Sequence, residues 1–426
     1  MPQRLVIVGG GFGGAYAAKR LRRLGRGRDL DITLINRTNY FVFYPLLIEA
    51  GTGSLEPRHA VVPLRKMIDG VQLCMAEVTD IDLDRRVVQY ALTDSDITME
   101  TTYDHLLLAP GSVTRFPPVP GLAEHGYEIK SLGDAVALRD RAISLLERAN
   151  AVGDADLRRR LLHFVIVGAN YTGVELAGEF HAFLYAAAKN YANVDRRNDI
   201  KVTLVEMVDR ILPTLENDLA AYAADQLQRR GVELRLNETL TEIGQTCVTC
   251  RSGDALPTET CIWAAGVAPP PIVAKVAGLP TDDRGYIRCQ PDLRVEGLDN
   301  VWAIGDAASN PDPEGNAYPP TAQHAVQMGT AAADRIVAAI EGRPVEPFAY
   351  QARGTVAAIG CRSAVAEVMG LRFSGFFAWW LYRTLYLLKM PGWSRRIRIA
   401  LDWTIDLLFG RDYIQLGVHR RSRRPA

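Results

Sequence analysis

Apolar positions along the chain fall into short runs bounded by glycine and longer amphipathic stretches. Residues 5–8 are a short apolar run, followed at once by Gly9, Gly10, Gly11, Phe12, Gly13 and Gly14, then by a helical pattern over 15–24 and a second apolar run over 31–35. Short glycine-bounded runs read as buried strands, and the longer 3.6-residue pattern as a helix. Strand, glycine turn, helix and strand in that order open a Rossmann-type unit. The same order returns about 160 residues later, the only repeat-like signal in the chain. There, 163–167 reads as a strand, 168–173 as the turn, 174–191 as a helix and 201–205 as the next strand. Between the two units, 72–90 and 103–108 read as strands that run into Ala109, Pro110 and Gly111. The proline-rich stretch 116–121 predicts a domain boundary. Residues 260–265 and 300–304 read as strands meeting Gly266 and Gly305, and a helix is predicted around 331–340. Beyond it the chain reads as aromatic, basic and helical, with apolar segments at 376–390 and 397–409.

In the first turn, Gly9, Gly11 and Gly14 have the spacing of a dinucleotide-binding turn. The first glycine permits the tight bend, the second lets backbone approach a pyrophosphate, and the third lets helix pack on strand. Phe12 and Gly13 complete the turn, whose N–H groups and helix N-terminus favour negative charge. An acidic residue is expected at the end of the next strand, to hold ribose hydroxyls, but the chain has Asn36 and then Arg37. An amide still hydrogen-bonds there, as a weaker anchor than a carboxylate. The second turn keeps Gly168 and Gly173, with Asn170 in the place of the middle glycine and Tyr171 and Thr172 after it. Asparagine tolerates left-handed backbone better than most residues, but its side chain crowds a pyrophosphate. Glu206 ends the following strand. A carboxylate there accepts a ribose 2′-hydroxyl and repels a 2′-phosphate, so NADH is expected over NADPH.

The chain has 426 residues, 48% apolar and 23% charged, which excludes a disordered, collagen-like or coiled-coil protein. No uninterrupted apolar window reaches about 18 residues, so no spanning helix is expected. Six cysteines are too sparse for a disulfide scaffold, and no signal peptide is read before the first strand; a reducing, intracellular setting is expected. Cys247 and Cys250 have redox spacing, but a single pair after a strand-like region reads as structural, and no metal site is expected. Basic and acidic residues balance at 49 each, yet from Arg372 onward there are eleven Arg and Lys against three Asp, a net of +8. Four of the six tryptophans, Trp379, Trp380, Trp393 and Trp403, share that end.

The sequence resembles the type II NADH dehydrogenases, single-subunit NADH:quinone oxidoreductases of the two-dinucleotide-domain flavoprotein superfamily. The resemblance runs along nearly the whole chain. It is carried by VGGGFGG at 8–14, YPLL at 44–47, GVELAGE at 173–179, WAAGV at 263–267, AIGDAA at 303–308 and AQHAVQ at 322–327. It implies an α/β fold of two Rossmann-like dinucleotide-binding domains, the NADH domain inserted in the FAD domain, plus a C-terminal amphipathic helical membrane-attachment region. The boundaries expected are 1–120 and 290–345 for FAD, 121–289 for NADH, and 346–426 for membrane attachment or dimerisation. The resemblance implies FAD as cofactor and NADH as substrate. Implied cofactor contacts include Pro45, Gly111, Gly266, Gly305 and Asp306, the last placed to hydrogen-bond the flavin ribityl chain. In the family the pattern from Ala322 lines a quinone pocket, so Gln323 and Gln327, four apart on one helix side, are expected to meet quinone carbonyls. His324 reads as a helix-surface residue rather than a proton donor. Glu175, one turn before Glu179, is expected to serve as a proton or cofactor-positioning group near the nicotinamide.

Neither C-terminal apolar segment spans a bilayer core of about 30 Å. Both fit helices lying in the interface, with Trp and Tyr at headgroup level and Arg395, Arg396 and Arg398 toward anionic phosphates. A homodimer is the other use of that surface. Nucleic-acid binding by residues 420–424 has little support, and none is expected. The reading is a peripheral enzyme that passes a hydride from NADH to FAD and two electrons on to a membrane quinone, without proton pumping, at the cytoplasmic face of the inner membrane. The alternatives are a ferredoxin- or rubredoxin-type reductase with a protein acceptor and a signalling flavoprotein similar to apoptosis-inducing factors. Sulfide:quinone oxidoreductase is disfavoured, since no cysteine lies between Cys74 and Cys247 or beside a flavin motif.

Overall fold

The structure, a computed structural model, describes residues 2–352, 354–360 and 362–417. The basic tail at 420–424 lies outside them. Two compact units emerge. The first comprises Met1–Phe41, Val61–Val113 and Val267–Ala352, and the second Val42–Ala60, Thr114–Gly266 and Arg353–Ala426. These contact boundaries differ from the sequence expectation. Residues 42–60 and the C-terminal segment pack with the second unit, because their apolar faces share its core, as Leu47, Ile48, Ala357, Ile359 and Val365 show.

The first unit is built on a seven-stranded sheet in the order Val301–Ala303, His105–Leu108, Gln3–Val8, Leu30–Asn36, Gln72–Asp82, Val87–Leu92 and Thr98–Thr102. Its first four pairings are parallel and the last two antiparallel. Parallel strands covered on both faces need apolar residues throughout, which is why residues 5–8 and 106–108 read as unbroken runs. Helix Phe12–Leu24 follows the first glycine turn and packs on helix Ala322–Ile340. A Cβ on Gly329 would lie 2.2 Å from the Gly13 carbonyl oxygen, so small residues set that approach.

The second unit holds a parallel five-stranded sheet in the order Gly126–Tyr127, Thr260–Trp263, His163–Val167, Lys201–Val205 and Val232–Arg235. Helix Tyr171–Ala187 starts three residues earlier than its apolar pattern, because Asn170 caps it by accepting the Gly173 N–H at 3.1 Å. Helix Leu132–Ala151 opens with a capping box between Ser131 and Asp134.

The two C-terminal helices are preceded by strands that the sequence reading did not mark. Strands Gly354–Ala358, Ala364–Val368 and Leu371–Ser374 form an antiparallel sheet before the helices begin. The second hairpin closes on Met369 and Gly370, at φ 53° and 78°. Two consecutive positive φ values make a tight hairpin turn, and Met-Gly does not advertise one as Asn-Gly would. Helices Gly375–Lys389 and Trp393–Phe409 follow.

Candidate functional site

The two glycine turns have the same internal geometry. Gly9 and Gly168 adopt φ of +98° and +99°, and a Cβ on Gly9 would sit 2.2 Å from the Ala109 carbonyl oxygen. A Cβ on Gly14 would lie 1.8 Å from the Gly9 carbonyl oxygen, and one on Gly173 1.8 Å from that of Gly168. The protein itself therefore demands these four glycines. Gly11 is different: a Cβ there would meet nothing within 4 Å. Its bareness answers no internal need and leaves turn backbone open to a phosphate at the N-terminus of helix Phe12–Leu24. The first turn thus fits the pyrophosphate of FAD. Phe12 packs edge-on to Phe41 at 4.8 Å, and Gly13 lies against Ile304 and the Ala325 carbonyl.

Each turn is tied to the end of the next strand by one side chain. Asn36 Oδ1 accepts the Gly10 N–H at 2.8 Å, and its Nδ2 donates to the Thr38 carbonyl at 2.8 Å. In the second unit Glu206 accepts the Ala169 N–H at 2.6 Å and the Val208 N–H at 3.2 Å. Arg37 is exposed, with its guanidinium 4.0 Å from Glu77. Asn170 has φ −73° and ψ −175°, extended rather than left-handed, so tolerance of left-handed angles is not what this position uses. Its Nδ2 donates to the Ala264 carbonyl at 2.8 Å. Tyr171 and Thr172 are half-buried in the first helical turn, and Thr214 donates to the Tyr171 hydroxyl at 3.4 Å. Gly266, at φ +74°, accepts the Arg115 N–H at 3.2 Å. The Trp263 indole N–H reaches the Ala265 carbonyl at 2.9 Å, which holds the loop against Gly168.

Within the first unit the AIGDAA segment at 303–308 lies close to the first turn, with Ile304 against Gly13. Gly305, at φ +72°, opens a short 3-10 turn carrying Asp306, whose Oδ2 accepts the Ser112 hydroxyl at 2.9 Å. Ser112 follows Gly111, itself at φ +74° with open space where a Cβ would be. No sequence signal singled out Ser112; only the parallel pairing of the Val301–Ala303 and His105–Leu108 strands brings it to Asp306. Ala322 begins the next long helix, with Gln323 half-buried and Gln327 exposed.

His324 is not the surface residue expected. It is 5% exposed, its Nδ1 is 2.7 Å from the Thr321 hydroxyl, and its ring packs on Tyr318 and Tyr350 at 5.3 and 5.4 Å. Burial pushes its imidazole below the usual range. The Thr321 cap and two aromatic rings from outside the helix decide this, and helix periodicity does not contain them.

Glu175 lies in the second unit with its carboxyl accepting the Ala358 N–H at 3.1 Å. It keeps a narrow opening to solvent but is densely surrounded, and loss of hydration pushes it up to about 8. One turn on, Glu179 is buried against Arg411 at 2.5 Å. Pro45, also in this unit, offers its carbonyl to the Tyr382 hydroxyl at 2.9 Å. Sequence reading did not mark Glu49, Arg383, Asp406 or Arg411 as partners of this region. The available signal was an Arg and an Asp inside apolar helices, since charges in such places pair.

The described cysteines are free thiols. Cys247–Cys250 is a strand with its neighbours in an antiparallel sheet, which rules out a thioredoxin-like helix start. On the C-terminal helices Phe376, Trp380, Leu388, Trp393, Ile397, Leu401, Leu408 and Phe409 are exposed. Among the described residues no helix is long and apolar enough to cross a membrane.

The chain matches the pyridine nucleotide-disulphide oxidoreductase family over residues 3–329 and the NDH2 C-terminal domain over 352–412. It is 33% identical over 95% of its length to a type II NADH:quinone oxidoreductase of Mycobacterium tuberculosis, 88% of which is covered. A demethylphylloquinone reductase of Synechocystis is 33% identical over 94% of this chain and 95% of its own. Among solved structures, an NDH2 of Plasmodium falciparum in complex with NADH superposes with a TM-score of 0.91 at 20% identity, covering 97% of this chain and all of that one (100%). With an α/β fold of two glycine-turn units and a C-terminal helical segment, the chain belongs to the type II NADH:quinone oxidoreductase family.

Proposed function

We propose that this protein is an FAD-dependent NADH:quinone oxidoreductase working at a membrane surface. The observation that carries the reading is the pair of matched turns, one left open by Gly11 and the other closed on the Glu206 carboxylate. The curated relatives that bear this activity in their names cover nearly the whole chain, C-terminal segment included. That weighs against the protein-acceptor and signalling alternatives.

FAD held at the first turn would supply the acceptor for the nicotinamide hydride and the two-electron donor for quinone. The chain's own residues bind and orient. Backbone N–H groups at the start of the helix, beside the open Gly11, hold the flavin nucleotide's pyrophosphate, with Phe12 and Gly13 shaping the helix start. Asn36 braces the turn and leaves an oxygen lone pair toward ribose, with Arg37 beyond it. Asp306, oriented by Ser112, takes the ribityl hydroxyls, and Gly111 and Gly305 keep backbone low beside them. Ala322 lines the same cofactor. Gly168, Asn170, Tyr171, Thr172, Gly173 and Gly266 form the nicotinamide nucleotide site, and Glu206 accepts its ribose hydroxyls. Gln323 and Gln327 donate amide N–H groups to the quinone carbonyls. Glu175 holds a proton at neutral pH.

Exposed Trp, Phe, Leu and Ile on the last two helices support attachment to the lipid surface, where the quinone resides. NADH supply puts the enzyme on the cytoplasmic face of the inner membrane. Anaerobic titration tests the reading. NADH should bleach the flavin absorption of the purified protein, and a soluble quinone should restore it. Bleaching that quinone cannot reverse would refute the quinone half, and no bleaching by NADH would refute the donor half.

A further inference from the structure

Three arginines share one carboxylate at the end of the second unit's parallel sheet. Arg141 and Arg148 lie about two turns apart on helix Leu132–Ala151. Arg160 is the last of three consecutive arginines on helix Ala155–Leu161. All three reach Glu259, the residue just before strand Thr260–Trp263. Arg141 Nη2 donates to the Glu259 carbonyl at 3.1 Å and to its Oε2 at 3.3 Å. Arg148 reaches Oε2 at 3.0 Å and Oε1 at 3.4 Å, and Arg160 lies 3.5 Å from Oε1. The other two arginines of the run have carboxylates of their own: Arg158 pairs with Asp199 and Arg159 with Asp156.

One acid does not satisfy three guanidiniums. Each guanidinium brings five N–H donors, whereas a carboxylate offers about four lone-pair sites. Three cations against one anion leave a surplus of two positive charges, and among the described residues no other carboxylate pairs with any of the three. The Nε atoms of Arg141 and Arg160 are shielded from water and have no acceptor. A single arginine would neutralise Glu259, and the other two add like-charge repulsion that packing alone does not call for. The Glu259 side chain is only 10% exposed, while those of Arg148 and Arg160 are 47% and 35% exposed, so the surplus charge faces solvent. The parallel register puts the patch at the amino ends of strands Thr260–Trp263 and His163–Val167, the opposite end from the 168–173 turn.

We propose that Arg141, Arg148 and Arg160 form a binding site for a phosphate oxyanion, separate from both nucleotide turns. Planar guanidinium forks match phosphate oxygens two at a time. A phosphate monoester carries a charge of about −1.5 to −2 at neutral pH, which meets the surplus. The oxyanion takes the solvent side of the three guanidiniums, and Glu259 stands behind them. That carboxylate gathers the forks before the ligand arrives, and its own charge holds the affinity down. Free phosphate compounds and the phosphate headgroup of an anionic lipid share this chemistry. The site goes beyond the NADH:quinone reading and does not depend on it.

The test is calorimetric titration of inorganic phosphate into the flavin-loaded protein. Ionic strength is held constant, and NAD⁺ is kept saturating so that phosphate does not enter the nucleotide turn. Wild type should show a single saturable site. Arg148→Gln should weaken it about tenfold, as loss of a charge-assisted pair does, and Arg141→Gln together with Arg148→Gln should abolish it. Glu259→Gln carries the opposite sign: it removes the competing charge, so phosphate should bind several-fold tighter. If Glu259→Gln does not fold, the arginine variants decide, since Arg148 is half-exposed and its loss leaves no buried group behind. No saturable binding by wild type, or binding that is equal in wild type and both arginine variants, would overturn the proposal. Vesicles distinguish the sources. With Leu401→Asp and Leu408→Asp removing the apolar contact of the last helix, co-sedimentation with phosphatidate vesicles that disappears on adding Arg148→Gln would assign a lipid headgroup. Phosphate binding without such co-sedimentation would assign a free phosphate compound.

Discussion

The Asn36 amide oxygen accepts the Gly10 backbone N–H at 2.8 Å, on the strand end where a ribose-binding carboxylate was expected. With Nδ2 on Thr38, the side chain spans the turn and the loop after the strand. Asn36→Ala breaks both links and should cost about 1–3 kcal/mol, as lost hydrogen bonds in partly buried sites do. The flavin per chain retained after gel filtration should fall with it. Full retention together with an unchanged unfolding midpoint would show that the bridge does not support the cofactor turn.

Gly11 and Gly14 should respond differently to one added methyl group. Gly14→Ala places a Cβ 1.8 Å from the Gly9 carbonyl, so the chain should unfold at markedly lower temperature even without flavin. Gly11→Ala meets no protein atom, so the flavin-free protein should melt within about 1 kcal/mol of wild type while flavin binding falls. Differential scanning of both apoproteins, paired with flavin titration, makes the comparison. Equal flavin affinity for Gly11→Ala and wild type would move the pyrophosphate away from this turn.

Glu206 ties the second turn and stands where nucleotide choice is made. Glu206→Gln keeps an acceptor for the Ala169 N–H but removes the charge that repels a 2′-phosphate. KM for NADH should rise several-fold, about 1 kcal/mol, and the preference for NADH over NADPH should shrink by a larger factor. Steady-state rates with both nucleotides at fixed quinone measure it, and an unchanged NADH to NADPH ratio would remove Glu206 from selection.

Glu175 gives a stability prediction with a definite sign. Its carboxyl sits near 4.5 in the unfolded chain and about 8 in the fold, so the native state binds more protons between those values. Stability then falls as pH rises through that window, being fully present below about 4.5 and lost above about 8. Glu175→Gln should flatten this part of the curve by a few kcal/mol, in the direction of greater stability at pH 9 or so. Denaturant unfolding at several pH values checks it, and a slope identical to wild type would contradict the buried, protonated carboxyl.

The exposed apolar side of the last helix predicts lipid binding. Leu401 and Leu408 are 56% and 72% exposed. Replacing both with Asp should abolish co-sedimentation with anionic vesicles and leave turnover with a soluble quinone near wild type. Continued co-sedimentation would assign this face to something other than lipid.

Much of this protein is written locally. The two turns are legible because a steric requirement acts between residues five apart: Gly9 against Gly14, and Gly168 against Gly173. The strands on either side are legible because parallel strands buried on both faces leave no room for polar residues. Family membership follows from such short segments repeated along nearly the whole chain. Tertiary structure decided the rest. His324 is buried by Tyr318 and Tyr350, which lie outside its own helix. The 354–374 sheet depends on a hairpin turn whose positive φ values Met-Gly does not signal. Glu49 and Asp406 meet through Arg383, although more than 300 residues separate the first from the others. Local patterns record what neighbours along the chain require of one another. Burial and charge depend on which distant segments share a core, and sequence spacing carries no measure of that distance.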